Sequence, residues 1–175
     1  MLILTGFMGA GKSTVGRLLA QHLQWRFLDL DAVIEHEEQQ SIASLFAQKG
    51  EAYFREREEA LFSQLIEDAQ ASKGPLVLAL GGGALESAHT RAWLAERKQL
   101  FMVYLAAPLP LLIDRCLAQK SAEERPILLD REQLAARWQR RVPQYETAHL
   151  TVNTVELSPE QIVHQIDFHL KRKTR

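Results

Sequence analysis

The stretch Gly6-Phe7-Met8-Gly9-Ala10-Gly11-Lys12-Ser13-Thr14 decides the fold of this 175-residue chain. It reads G-x-x-x-x-G-K-S. It lies between a short apolar run, Leu2-Ile3-Leu4-Thr5, and a segment with Val15, Leu18, Leu19 and Leu23 at helical spacing. A strand running through glycines into a helix wraps main chain closely around phosphates. The N–H groups of the first helical turn then point at the anion. Gly9, Ala10, Gly11, Lys12, Ser13 and Thr14 are the expected nucleotide-binding residues, with Lys12 reaching the β- and γ-phosphates and the Ser13 hydroxyl suited to Mg2+. The plain alternative is a Gly-rich turn that merely joins a strand to a helix. It is disfavoured because pattern and context are both met.

Outward from this loop, strand and helix patterns alternate. A second strand is expected at 25–30, short helices at 32–38 and 41–48 with Ser41 as a cap, and a longer helix at 51–71. A buried strand at 76–80 is stopped by Gly81-Gly82-Gly83. A helix at 87–97, a strand at 100–105, a helix at 108–117, a polar stretch at 119–131, a helix at 132–141, a strand at 150–155 and a closing helix at 159–171 complete the reading. Five apolar strands alternating with helices imply a three-layer α/β/α domain, since parallel strands need crossovers and the crossovers are helical.

Composition bounds the rest. The chain is 46% hydrophobic and 25% charged, with a formal net charge of −1. This fits one compact soluble domain and excludes disordered and collagenous classes. Near-neutral charge argues against nucleic-acid or anionic-membrane partners. No segment reaches the roughly 18 apolar residues of a membrane span, and the opening Met1–Leu4 lacks the basic flank of a signal peptide. The single cysteine, Cys116, cannot form an intrachain disulfide, so a reducing cytoplasm is expected.

The acceptor side is less sharply written. Asp29 and Asp31 close the second strand, where ligands bind in open α/β sheets. At spacing two on extended chain they point the same way, toward the phosphate loop if their strands are neighbours. One suits Mg2+ through water and the other suits proton acceptance from an attacking hydroxyl, although a solvated strand end or helix cap has the same pattern. Arg55 follows Phe54 in an acidic helix. There it reads equally as a carboxylate clamp or as one member of a surface ion-pair ladder. Three successive glycines at 81–83 suit close approach of a ligand to main chain. Arg125 and Arg141, each near a proline, read singly as surface arginines.

Together these residues resemble the shikimate kinase family, within the P-loop nucleoside-monophosphate-kinase-like group. The resemblance is carried by the loop 6–14, Phe27-Leu28-Asp29-Leu30-Asp31 with Ile34-Glu35, and Ser41-Ile42-Ala43 to Phe46. Gly50-Glu51, Phe54-Arg55 with Glu58, Gly81-Gly82-Gly83, Arg125-Pro126-Ile127-Leu128 and Arg141-x-Pro143-x-Tyr145 complete it. It runs from Leu2 to about Ile166. Three departures stand out: Leu30 replaces a small polar residue between the aspartates, Ile127 stands where leucine is usual after Arg-Pro, and 115–125 is a few residues longer than the family pattern.

The resemblance implies a five-stranded parallel sheet in a single domain, a helical substrate-binding region at about 32–62 and a mobile lid at about 116–131. It implies ATP-dependent phosphorylation of the shikimate 3-hydroxyl by a cytoplasmic monomer that uses Mg2+. Asp31 would be the base, with Lys12 and Arg125 also catalytic. Asp29 would hold Mg2+ beside Ser13, Arg55 and Arg141 would bind the shikimate carboxylate, and Gly81 and Gly82 would line the ring site. Arg115 would flank adenine, and Arg125 would reach the transferred phosphate from the lid. A gluconate-type kinase and a catalytically silent nucleotide-binding module are the competing expectations.

Overall fold

A computed structural model describes residues 1–71, 74–97, 99–118 and 130–173. Among them the strands β1 (Leu2–Thr5), β2 (Arg26–Asp29), β3 (Leu76–Ala79), β4 (Phe101–Ala106) and β5 (Leu150–Asn153) form one parallel sheet, ordered β2-β3-β1-β4-β5. The helices are α1 (Lys12–Leu23), α2 (Leu30–Glu38), α3 (Ile42–Ala71), α4 (Ala88–Ala95), α5 (Leu109–Leu117), α6 (Arg131–Tyr145) and α7 (Pro159–Lys173), with a 3-10 turn at Ala84–Glu86.

The sheet explains its own sequence. β1 and β3 are interior strands covered on both faces, and every residue in them is buried, hence the unbroken runs Leu-Ile-Leu-Thr and Leu-Val-Leu-Ala. β2 and β5 lie at the edges, and β5 alternates toward solvent. From β1 the chain crosses through α1 over β3 to reach β2. From β3 it crosses back through α4 over β1 to reach β4. Right-handed crossovers running in opposite directions put α1 and α4 on opposite faces, the layering expected for this fold.

One expected boundary moves for a physical reason. The second strand ends at Asp29, and Leu30 and Asp31 belong to the first turn of α2, because the Asp29 carboxylate accepts the Asp31 N–H at 3.1 Å and caps that helix. The helices expected at 41–48 and 51–71 form as the two stretches of α3, separated at Gly50, whose φ of 81° and ψ of 170° are non-helical and suit glycine. Ser41 caps the first part by accepting from Ser44 N–H.

Glu38 fastens α2 to α3. It accepts from Lys49 at 3.1 Å, from Tyr53 at 3.0 Å and from Arg57. Arg57 therefore bridges two helices.

Candidate active site

β1, β3 and β2 are consecutive in the sheet and in register, Leu4 opposite Ala79 and Ala79 opposite Asp29. The three segments that follow them, the loop 6–14, the glycines 81–83 and the Asp29–Asp31 corner, consequently share the carboxyl edge, where open α/β sheets bind ligands. β2 is not the neighbour of β1, since β3 lies between them. The aspartates still reach the loop, because Ser13 Oγ donates to Asp29 Oδ2 at 2.5 Å.

In the loop, Gly11 takes φ 90° at the N-cap of α1. No side chain caps that end, and no acidic residue stands in its first turn. The leading N–H groups of α1 thus keep their affinity for an anion. Lys12 Nζ donates to the Gly6 carbonyl at 2.9 Å and the Phe7 carbonyl at 3.1 Å, which closes the loop on itself. Ala10 N–H also donates to Phe7, while Thr14 is exposed. A side chain at Gly9 would strike Leu112 and Cys116, so α5 packs directly against the loop. Arg115 stands on that helix, and its guanidinium donates to the Thr154 hydroxyl at 2.9 Å and the Thr154 carbonyl at 2.7 Å.

The glycine triplet does more than turn the chain. A Cβ on Gly81 would collide with Asp31 Oδ1 and Glu58 Oε1, and one on Gly83 would collide with the Arg55 guanidinium. Two carboxylates and a cation therefore crowd the main chain of one short turn, which a plain strand-to-helix connection does not require. Tyr145 braces the turn by donating to the Gly82 carbonyl.

The electrostatics of this corner are unusual. Loss of water around the Asp31 carboxylate pushes its pKa up to about 6; Lys12 pulls it down and Asp29 adds to the rise. Burial pushes Glu58 up to about 7, against the pull of Arg55. Arg55 donates to Glu58 at 2.6 Å and to Glu51 at 3.2 Å, and lies 3.9 Å from Glu86. Arg141, 3% exposed on α6, pairs with Glu86 at 2.6 Å.

The structure brings together Asp31, Arg55, Gly81, Gly82 and Arg141, and separately Lys12, Ser13 and Asp29. Arg125 and most of the expected lid lie outside the described residues. Glu86 and Arg140 were not singled out from sequence, and nothing in their spacing marks them, whereas Glu51 entered only as part of the motif Gly50-Glu51. Glu58, three residues after Arg55 on one helix face, carried a readable signal.

Comparison with known proteins now has a site to explain. A family model described as shikimate kinase matches residues 8–171. This chain belongs to the shikimate kinase family. A shikimate kinase of Persephonella marina is 38% identical over 166 residues, covering 94% of this chain and 95% of that protein. The solved structure of shikimate kinase from Acinetobacter baumannii in complex with shikimate is 35% identical, with a TM-score of 0.85, covering 99% of this chain and 94% of that one. Shikimate kinase from Aquifex aeolicus is 31% identical with a TM-score of 0.80, covering 99% and 97%. The family's P-loop kinase fold is the one built above.

Among the described residues no three His, Cys, Asp or Glu side chains gather as a metal cage, and no helix is long and apolar enough to cross a membrane. A hydroxyl and a carboxylate side by side at the loop, Ser13 and Asp29, are nevertheless the sparse oxygen set that Mg2+ accepts when waters and substrate phosphates supply the rest.

Proposed function

We propose that this protein transfers the γ-phosphoryl group of ATP to the 3-hydroxyl of shikimate. The products are shikimate 3-phosphate and ADP, and the reaction is a step of chorismate and aromatic amino acid biosynthesis. The observation that carries the reading is the crowding of Asp31, Glu58 and Arg55 onto the glycine turn at 81–83, one strand away from the phosphate loop.

In this reading each side chain takes a role of its own. The loop 9–14 holds the phosphates by its N–H groups, and Lys12 follows the γ-phosphate as charge moves toward the leaving oxygen. Asp31 accepts the proton of the attacking hydroxyl; a carboxyl near pKa 6 is mostly ionised at neutral pH and more basic than an ordinary aspartate. Arg55 and Arg141 take the shikimate carboxylate, and Gly81 and Gly82 give the ring access to main chain. Ser13 and Asp29 hold Mg2+, which when bound neutralises phosphate charge. Arg115, pinned to Thr154 on the helix that packs under the loop, flanks the adenine. Residues 32–62 form the substrate-binding region. A lid at 116–131 brings Arg125 to the transferred phosphate and excludes water, which limits ATP hydrolysis.

The protein is read as a single-domain cytoplasmic monomer acting on small molecules, with no nucleic acid or membrane partner. A coupled ADP-release assay with shikimate, with gluconate and with no acceptor tests the reading. Shikimate-dependent release well above both controls is expected. Preference for gluconate, or no release with any acceptor, would overturn it.

A further inference from the structure

Glu86 ends the 3-10 turn that follows the glycines, and its two oxygens meet different arginines, with Arg55 also 3.9 Å from Oε2. Oε1 accepts from Nε of Arg140 at 2.7 Å, with the Arg140 NH2 group in ion-pair contact at the same distance. Oε2 accepts from Nε of Arg141 at 2.8 Å, and the Arg141 NH2 group lies in ion-pair contact with the same oxygen at 2.6 Å. The Arg141 guanidinium also lies 5.8 Å from the centre of the Phe7 ring, in the phosphate loop. Its NH1 end is turned toward Gly82, 3.9 Å from where a Cβ on that residue would lie. One edge of the cation is therefore fastened from behind, and the other faces the turn that lines the ring site.

We propose that Glu86 is a positioning residue for the shikimate carboxylate, holding the Nε–NH2 edge of Arg141 so that its NH1 end is the donor presented to the acceptor acid. This rests on the assignment of Arg141 to that carboxylate. Two effects of Glu86 oppose each other. Its bonds fix the plane of a long, many-rotor side chain, so little orientation is left to impose on binding. Its negative charge also repels an incoming anion. The brace outweighs the repulsion because Arg140 and Arg141 already neutralise the Glu86 charge, and among the described residues Glu86 is the one carboxylate in ion-pair contact with Arg141, whose other polar partner is the Tyr145 hydroxyl.

The substitutions Glu86→Ala and Glu86→Gln separate the two effects. Glutamine removes the charge but keeps one acceptor oxygen, which can serve Arg141 while the exposed Arg140 turns to water. In steady-state assays Glu86→Ala raises the shikimate KM roughly 10-fold, with kcat and the ATP KM nearly unchanged, and Glu86→Gln raises it by about 3-fold or less. Should the alanine variant fail to fold by circular dichroism, Glu86→Asp carries the test. It keeps the charge but withdraws the oxygens, so the same shikimate-selective rise is expected. Unchanged shikimate KM values in these variants, or a fall in both Glu86→Ala and Glu86→Gln, would overturn the proposal. Titration of the unaltered protein with shikimate and with an analogue lacking the carboxylate isolates the assumption beneath it. Equal binding of the two defeats the Arg141 assignment itself. Discrimination that survives intact in the Glu86 variants defeats only the role of Glu86.

Discussion

Asp29 and Asp31 are two residues apart and do different work. Asp29 caps α2 and receives the Ser13 hydroxyl, so its carboxylate is already committed to position beside the loop. Asp31, in the first turn of the helix, faces Gly81 and Glu58 with its pKa raised to about 6. Asparagine caps a helix as well as aspartate does, so Asp29→Asn should fold normally and raise the Mg2+ concentration needed for half-maximal rate. Asp31→Asn keeps shape but removes the proton acceptor, so turnover should fall roughly 10²-fold or more at any Mg2+ concentration. Rescue of Asp31→Asn but not of Asp29→Asn by high Mg2+ would show the roles exchanged. Lys12→Ala should lower turnover by roughly 10²–10³-fold, with the circular dichroism spectrum retained; near-normal rates would remove the loop from the chemistry. At this scale the sequence pointed to two carboxylates that the fold does bring to the loop and the glycine turn. It misplaced Asp31 on the strand, because the cap that starts α2 at Leu30 is invisible without knowing which side chain reaches back to which N–H.

Interior elements were the readable ones. β1 and β3 are buried on both faces and announce themselves as apolar runs, and the glycines bounding them mark where main chain must meet a side chain or an anion. Edges and ends were harder. α6 continues past Pro143 to Tyr145 because a proline in the last turn leaves only the carbonyl of Gln139 without a helical partner, so Pro143 does not stop the helix at Arg141 as expected. That extra turn carries Tyr145 to the Gly82 carbonyl, a contact no spacing rule supplies.

The glycine turn makes a prediction of its own. Gly83→Ala places a methyl against the Arg55 guanidinium and must push it aside. It should therefore weaken shikimate binding without touching ATP. Arg55→Lys should act in the same direction, since a lysine cannot reproduce a planar fork. It should cost about 1.5–3 kcal/mol, or roughly 10- to 150-fold in shikimate affinity. Calorimetric titration with shikimate, its decarboxy analogue and an ATP analogue checks both variants. Equal losses for shikimate and the decarboxy analogue would make Arg55 a structural helix residue.

At the scale of the molecule, gathering the site at one sheet edge has a cost in stability that pH reveals. Asp31 and Glu58 have folded pKa values of about 6 and about 7, each raised chiefly by burial above the value of an exposed carboxyl. Between the unfolded and folded values the native state binds more protons than the unfolded chain. Their contribution is therefore fully present below about pH 4 and is lost as pH rises through 6 to 7. His149 acts oppositely, because burial lowers its pKa and acid favours the unfolded chain there. Glu86 and Asp167, whose arginine and lysine or histidine partners outweigh burial and hold their pKa values down, lose their contribution only in stronger acid. Comparing the unaltered protein with Glu58→Gln cancels these other groups. The variant should gain stability relative to the parent as pH is raised from 5.5 to 8, on the order of 1–3 kcal/mol, which is several degrees in Tm for a chain of this size. Thermal melts of both proteins across that range provide the measurement. A difference in Tm that stays constant with pH would mean Glu58 is ionised throughout, its charge fully answered by Arg55. The corner would then be a settled ion pair, not a site held short of water until substrate arrives.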